Sequence, residues 1–241
     1  MNQKCHDINN TESLKVKDFK NLTLFVSLLI LLHASCSPTK HLPEGALLYH
    51  KTSIKFENPE LIHKDKKVKE DLWTMARPVP NAPLKLRFYN LMGVKKKKGL
   101  RAWLRKKLGE PPVLYDETAV ERTRLRMSKY LSDNGYFGAT VTADTAVKNW
   151  KTEAIYRIFS KGQYRIRNVI WESDSTAVEG TMREFYDKPM LKSRHYYKHE
   201  NLVAERTQLA QIVNDHGFPD FSPEHIYYFI DTTAGDAQIT G

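Results

Sequence analysis

The sequence predicts an α+β fold made of two consecutive β-α-α-β-β units, each with a small mixed sheet packed against two helices. Composition supports packed cores, because 41% of the 241 residues are hydrophobic and 11% are aromatic. The second observation is a near-repeat in two long helical segments. They share Glu-Arg-Thr near the start, at Glu121 and Glu205, and end before Gly135-Tyr and Gly217-Phe. A repeat of about eighty residues is therefore expected to organise most of the chain.

The first unit is predicted to span residues 47–161. Alternating apolar and polar residues predict its strands, and Asn58-Pro59 and Asp116 have the residue types that begin helices. Asn134-Gly135 is typical of a helix end with a left-handed residue. The predicted elements are a strand, two helices and the two strands of a hairpin, over 47–56, 59–75, 116–134, 139–148 and 153–160.

The second unit is predicted over residues 162–241, with no long linker before it. Its elements are predicted as a strand, two helices and a strand, over 164–171, 176–186, 202–215 and 225–231. Gly217 again follows the second helix. Because few residues follow Asp231, we expect this unit to be incomplete and to lack most of its third strand.

Residues 1–35 are predicted to be an export signal. The uncharged apolar run from Leu22 to Leu32 is shorter than the roughly 20 residues that a spanning helix needs. Ala34 and Ser35 precede Cys36, as in a lipoprotein signal, so cleavage between Ser35 and Cys36 and lipid attachment at Cys36 are expected. The alternatives are a plain signal peptide with an incidental cysteine and a buried apolar strand, since His33 stands where lipoprotein signals usually have leucine.

Only two cysteines occur, Cys5 and Cys36, which excludes a scaffold held by disulfides and zinc sites built from several cysteines. Cys5 would leave with the signal, and Cys36 would carry lipid. Residues 36–46 contain Pro and Gly in a polar sequence and are predicted to be a tether.

The net charge of +10 is accounted for by a basic insertion over residues 77–113, where ten Lys/Arg and no Asp/Glu occur between Lys85 and Lys107. A helix is predicted there with one apolar stripe, formed by Leu100, Trp103, Leu104 and Leu108. Such a helix can lie in a membrane interface. From the sequence we favour the simpler interpretation, in which the stripe packs against its own domain. Nucleic-acid binding is disfavoured by the export signal.

No constellation of catalytic residues is found, and neither a cofactor nor a metal is expected. His195 and His199 are four residues apart and would share a face if they lay on one helix, but no third ligand accompanies them. A tyrosine-rich packing loop is the preferred interpretation of this segment.

The order of elements resembles that of POTRA domains, which precede outer-membrane barrels in the BamA/TamA family. Ordered motifs of this chain are similar to the lipid-anchored TamA-like translocation and assembly module lipoproteins of Bacteroidota. These motifs are Cys36, 40–45, 99–105, 109–114 and 134–137. Family members continue into a membrane barrel, and no room for one exists before Gly241, so we expect a partial family member without the barrel.

The resemblance implies a non-enzymatic module on the periplasmic face of the outer membrane, anchored in outer-membrane lipid through Cys36. Its partners would be outer-membrane protein clients and a TamB-like periplasmic protein, bound by addition of strands to sheet edges. Two alternatives remain from sequence: an envelope lipoprotein that is an enzyme or binds carbohydrate, and a purely structural membrane tether.

Overall fold

The computed structural model describes residues 38–58, 65–94, 98–233 and 237–240. Its contacts divide the chain into two compact units, one with residues 38–48 and Asn81–Leu114, the other with Tyr49–Pro80 and the residues from Tyr115 onward. The predicted signal peptide, its cleavage site and Cys36 lie outside the described residues.

The described helices and strands are as follows. The helices are α1 (Lys66–Met75), α2 (Pro83–Met92), α3 (Leu100–Leu108), α4 (Glu117–Asp133), α5 (Thr176–Phe185) and α6 (His199–Asp215). The strands are β1 (Leu48–Phe56), β2 (Thr140–Lys148), β3 (Lys151–Phe159), β4 (Ile166–Ile170), β5 (Phe229–Asp231) and β6 (Ala237–Thr240).

The first sheet has the strand order β1-β3-β2. Strands β2 and β3 are antiparallel over nine residue pairs, from Thr140 opposite Phe159 to Lys148 opposite Lys151. Asn149 and Trp150 join them with φ values of 52° and 61°, which is the backbone of a two-residue type I′ turn. The predicted hairpin is therefore present, with a tighter turn than the four residues expected.

Strand β1 runs parallel to β3, because contacts along the two strands advance in the same direction. Lys51 forms an ion pair of 3.0 Å with Glu153, and the amide of Glu57 donates to the carbonyl of Ile158 at 2.9 Å. Hydrogen bonds from Ser53 and Lys51 hold the pKa of Glu153 below its usual value. The amide of Ser160 then donates to the side chain of Asn58 at 3.0 Å.

Helices α1 and α4 cover one face of this sheet and bury apolar residues against it, as their spacing predicts. The large apolar side chains that the helices and β3 bury are Val68, Leu72, Val120, Met127, Leu131, Tyr156 and Ile158. Asp116 caps α4 as predicted, since it accepts from the amide of Ala119 at 3.2 Å. Asp65 caps α1 in the same way; the predicted start at Asn58-Pro59 runs into residues 59–64, which the structure does not describe.

The second sheet repeats the arrangement of the first, with the order β4-β6-β5. Strand β6 is parallel to β4 and antiparallel to β5, as β3 is to β1 and β2. We call β1, α1, α4, β2 and β3 the first repeat, and β4, α5, α6, β5 and β6 the second repeat. The predicted α+β fold with tandem β-α-α-β-β units is confirmed. The third strand of the second repeat, expected to be mostly missing, is present over four residues and holds the central position.

Several boundaries differ from the prediction. Helix α6 begins at His199 rather than at Leu202. A strand is expected to begin at His225, but residues Pro223–His225 form a 3-10 turn. Strand β5 begins only at Phe229. This shift follows from Pro223, which cannot donate to a strand ladder and fits the first position of a helical turn.

Candidate functional site

Strand β2 lies at an outer edge of the first sheet, and the direction of its backbone groups follows from the hairpin register. Lys148 and Lys151 flank the two-residue turn, so they form a hydrogen-bonded pair. Every second residue of β2 before Lys148 also bonds to β3. The intervening residues direct their N–H and C=O groups away from the sheet: Val141, Ala143, Thr145 and Val147.

The helix layer reaches only the beginning of this edge. The carbonyl of Val141 accepts a hydrogen bond of 3.3 Å from the Arg124 guanidinium on α4, as expected if this carbonyl points outward. Within the described part of the chain, the outward amides and carbonyls of Ala143, Thr145 and Val147 have no hydrogen-bond partner. The edge therefore offers an additional strand three donors and three acceptors.

Side chains beside the free edge become exposed towards the turn. Val141 is buried, whereas Val147, on the same face of β2, is 56% exposed. Trp150 in the turn is 61% exposed. An added strand would thus find apolar contacts as well as main-chain partners at this end of β2.

The edges of the second sheet are less open. A loop covers the start of β4, because the amide of Ile166 donates to the carbonyl of His195 at 2.8 Å and the amide of Arg194 donates to the carbonyl of Ile166 at 2.6 Å. Strand β5 has only three residues, although Phe229 in it is exposed. With nine residues, β2 is therefore longer than either edge strand of the second sheet, and its edge is uncovered from Ala143 onward.

The predicted apolar stripe lies on α3, which covers the predicted range. Leu100, Trp103 and Leu108 are 73%, 55% and 51% exposed, and Leu104 is half-buried. The buried residue of this helix is Ala102. The interpretation that the stripe packs against its own domain is therefore wrong for these three residues, because their side chains face solvent.

His195 and His199 do not share a helix. His199 is the first residue of α6, whereas His195 lies in the preceding loop, and both are exposed. Across the ranges that the structure describes, no group of three or more His, Cys, Asp or Glu side chains could hold a metal ion. None of the helices described there is long and apolar enough to cross a membrane.

Sequence reasoning did not single out the outward residues of β2 or the helix α2. The β2 edge follows from the order of strands in the sheet, which a single sequence does not reveal. Helix α2 had a readable signal, since Pro83 is its first residue and proline is favoured there.

No family model matches the sequence, and no curated protein matches it. Among solved structures, POTRA domains 1–2 of the periplasmic domain of Omp85 from Anabaena match with a TM-score of 0.40 and 8% identity, over 82% of this chain and 96% of that chain. POTRA domains 3–5 of BamA from Haemophilus influenzae match with a TM-score of 0.30 and 12% identity, over 83% and 98%. The N-terminal domain of Omp85 from Thermosynechococcus elongatus matches with a TM-score of 0.36 and 10% identity, over 82% and 63%.

Proposed function

We propose that this chain is a periplasmic module of outer-membrane protein assembly that binds extended client segments along β2. The observation that carries the proposal is the row of outward backbone groups at Ala143, Thr145 and Val147, for which the described residues supply no hydrogen-bond partner. A client segment would pair with them as a fourth strand of the first sheet. The POTRA-like motifs of the sequence support the same role.

Main-chain pairing suits an assembly factor because it reads the backbone of a client and not its sequence. A net contribution of about 0.5–1.5 kcal/mol per hydrogen bond makes the total from a few bonds modest. Apolar contacts with Val147 and Trp150 would add to it. Binding of this strength is reversible, so a client can be passed on to the membrane.

The proposed position is the periplasmic side of the outer membrane, with lipid on Cys36. The support lies in the apolar run, the Ala34-Ser35 pair and the cysteine that follows it. Clients would be unfolded outer-membrane proteins, and a large TamB-like protein is the proposed periplasmic partner. The role requires no cofactor and no catalytic residue.

Proline at position 145 tests the edge. Thr145→Pro removes an outward N–H and leaves the pairing between β2 and β3 in place, because that amide does not point at β3. The probe is a fluorescent nine-residue peptide with alternating apolar and polar residues, copied from a strand of an outer-membrane protein. We expect Thr145→Pro to weaken its binding roughly tenfold, which corresponds to about 1.4 kcal/mol.

Thr145→Val is the matched control, since it changes the side chain but keeps the N–H, and its affinity should equal that of the unchanged chain. Circular dichroism should show that both variants are folded. Unchanged binding by a folded Thr145→Pro variant would contradict the proposal. Absence of peptide binding by the unchanged chain would favour a purely structural tether instead.

A further inference from the structure

Helices α2 and α3 pack against each other and form a helical hairpin, which we call the basic hairpin, over Asn81–Leu114. Each helix buries one side and exposes apolar residues on the other. In α2, Leu86 and Asn90 are buried, while Leu84 and Leu91, seven residues apart and so on one face, are exposed.

Helix α3 has the same division. Ala102 is buried, and on a helical wheel it lies roughly opposite Leu100 and Leu104. The exposed residues Leu100, Trp103 and Leu108 belong to the other side. Two helices of one small unit therefore expose several large apolar side chains. An exposed apolar surface of this kind indicates an interaction site.

The basic hairpin is a defined structure and not a loose loop. The Arg105 guanidinium donates to the carbonyl of Gly93 and lies 5.7 Å from the ring of Tyr89. A Cβ on Gly109 would lie 2.6 Å from the carbonyl oxygen of Arg105 and 3.0 Å from the Cα of Tyr89, so the chain after α3 approaches α2 closely. The two helices that carry the exposed side chains are consequently packed against each other before any partner binds.

The positive charge of the basic hairpin indicates an anionic partner. Ten Lys/Arg and no Asp/Glu lie between Lys85 and Lys107. The ammonium of Lys107 lies 5.0 Å from the ring of Trp103, so cationic and apolar groups adjoin on one helix. An anionic bilayer interface satisfies both, because its headgroups attract the cations and its acyl boundary accepts the leucines and tryptophan. A nucleic acid offers phosphates but no comparable apolar layer.

The hairpin is also fixed to the beginning of the described chain. The side-chain amide of Asn90 donates to the carbonyl of Pro38 at 3.1 Å. Residues 36 and 38 can be at most about 7 Å apart. If Cys36 carries lipid, the basic hairpin therefore lies at the headgroups without any further linker.

We propose that the basic hairpin docks on the surface of an anionic membrane, with the exposed residues of α2 and α3 inserted at the interface. Each cation near an anionic surface raises the affinity about fivefold, and salt reduces this contribution. The docking does not depend on client binding at β2. It would hold the compact unit of residues 38–48 and Asn81–Leu114 against the bilayer.

The test uses the chain from Ser37 onward, which contains every described residue and lacks the lipid. Flotation should recover it with vesicles containing phosphatidylglycerol, and much less of it with vesicles of phosphatidylcholine alone or at high salt. Leu100→Ser with Trp103→Ser should lower the affinity at least tenfold. Trp73→Ser is the matched control, since it removes a tryptophan that is 49% exposed from the other unit, and its binding to vesicles should not change.

Tryptophan emission supplies an independent readout of insertion. A blue shift on addition of anionic vesicles should persist in Trp150→Phe and disappear in Trp103→Phe. Equal binding to neutral vesicles, unchanged affinity of the double serine variant, or unfolding of that variant by circular dichroism would each overturn the proposal. A preference for an acidic protein or for nucleic acid over anionic vesicles would overturn it as well.

Discussion

Thr123 and Glu205 are the seventh residues of α4 and α6, and each binds the backbone that follows the first helix of its own repeat. The Thr123 hydroxyl lies 3.1 Å from both the amide and the carbonyl of Arg77. The buried Glu205 carboxylate accepts from the amides of Met190 and Leu191 at 2.6 and 2.7 Å. The two repeats thus share a structural role at this position, although the residue types differ.

The shared Glu-Arg-Thr sequences stand in different registers of the two helices. Glu121 is exposed and pairs with Arg124 at 2.6 Å, whereas Glu205 is buried. Thr123 is buried, whereas Thr207 is exposed and donates only to the carbonyl of Val203 within its own helix. The position in the helix, and not the tripeptide, decides which polar residue holds the neighbouring segment.

Thr123→Val is therefore expected to destabilise the chain by about 1–3 kcal/mol, because it leaves backbone groups of Arg77 without their partner. Thr207→Val is the same change at an exposed site and should alter stability by no more than about 0.5 kcal/mol. Urea unfolding of both variants measures the difference. Equal free energies of unfolding would show that the Thr123 contact does not stabilise the first repeat.

Alanine at the two helix-ending glycines separates backbone strain from steric conflict. Gly135 and Gly217 have φ values of 82° and 108°, which confirms the predicted left-handed ends. Either substitution should cost about 1 kcal/mol through the backbone conformation. A Cβ on Gly135 would also lie 2.8 Å from the carbonyl oxygen of Tyr197. A Cβ on Gly217 would have no atom of the described residues within 4 Å.

We therefore expect Gly135→Ala to lower the free energy of unfolding by roughly 1–3 kcal/mol more than Gly217→Ala does. Chemical denaturation with tryptophan fluorescence provides the measurement. A larger loss for Gly217→Ala would contradict the close packing of Tyr197, from the loop of the second repeat, against the end of α4.

Local signals explain why much of the fold could be predicted from the sequence. Asp116 begins α4 and Gly135 follows its end because capping and left-handed conformations depend on a few neighbouring atoms. The turn at Asn149-Trp150 was predicted as a hairpin connection, but its two-residue geometry places a tryptophan at positive φ. That choice is set by the register of β2 and β3, over nine residue pairs, rather than by the turn residues.

The candidate site was less predictable because it depends on tertiary arrangement. Alternation identifies β2 as a strand but does not say which of its sides lacks a neighbour. The sequence predicts the apolar stripe of α3. Its exposure, however, follows from the burial of Ala102 on the opposite side of the helix. A small residue on the buried side of a helix gives only a weak signal in a hydrophobicity pattern.

Lipid attachment is expected at Cys36, on the grounds of the apolar run and the small residues before it. Metabolic labelling with a fatty-acid analogue should mark the unchanged chain and not Cys36→Ala. The variant should also shift from the membrane fraction towards the soluble envelope fraction. This shift should be only partial if the basic hairpin still binds the membrane. Equal labelling of both chains would exclude the assignment.

Backbone hydrogen exchange in the presence of a client peptide tests strand addition at β2 most directly. On binding, the amides of Ala143, Thr145 and Val147 should become protected because they gain a main-chain acceptor. The amides of Thr142 and Asp144, already bonded to β3, should change little. This alternating pattern is the predicted result; protection at another surface, with exchange of the outward β2 amides unchanged, would contradict client binding at this edge.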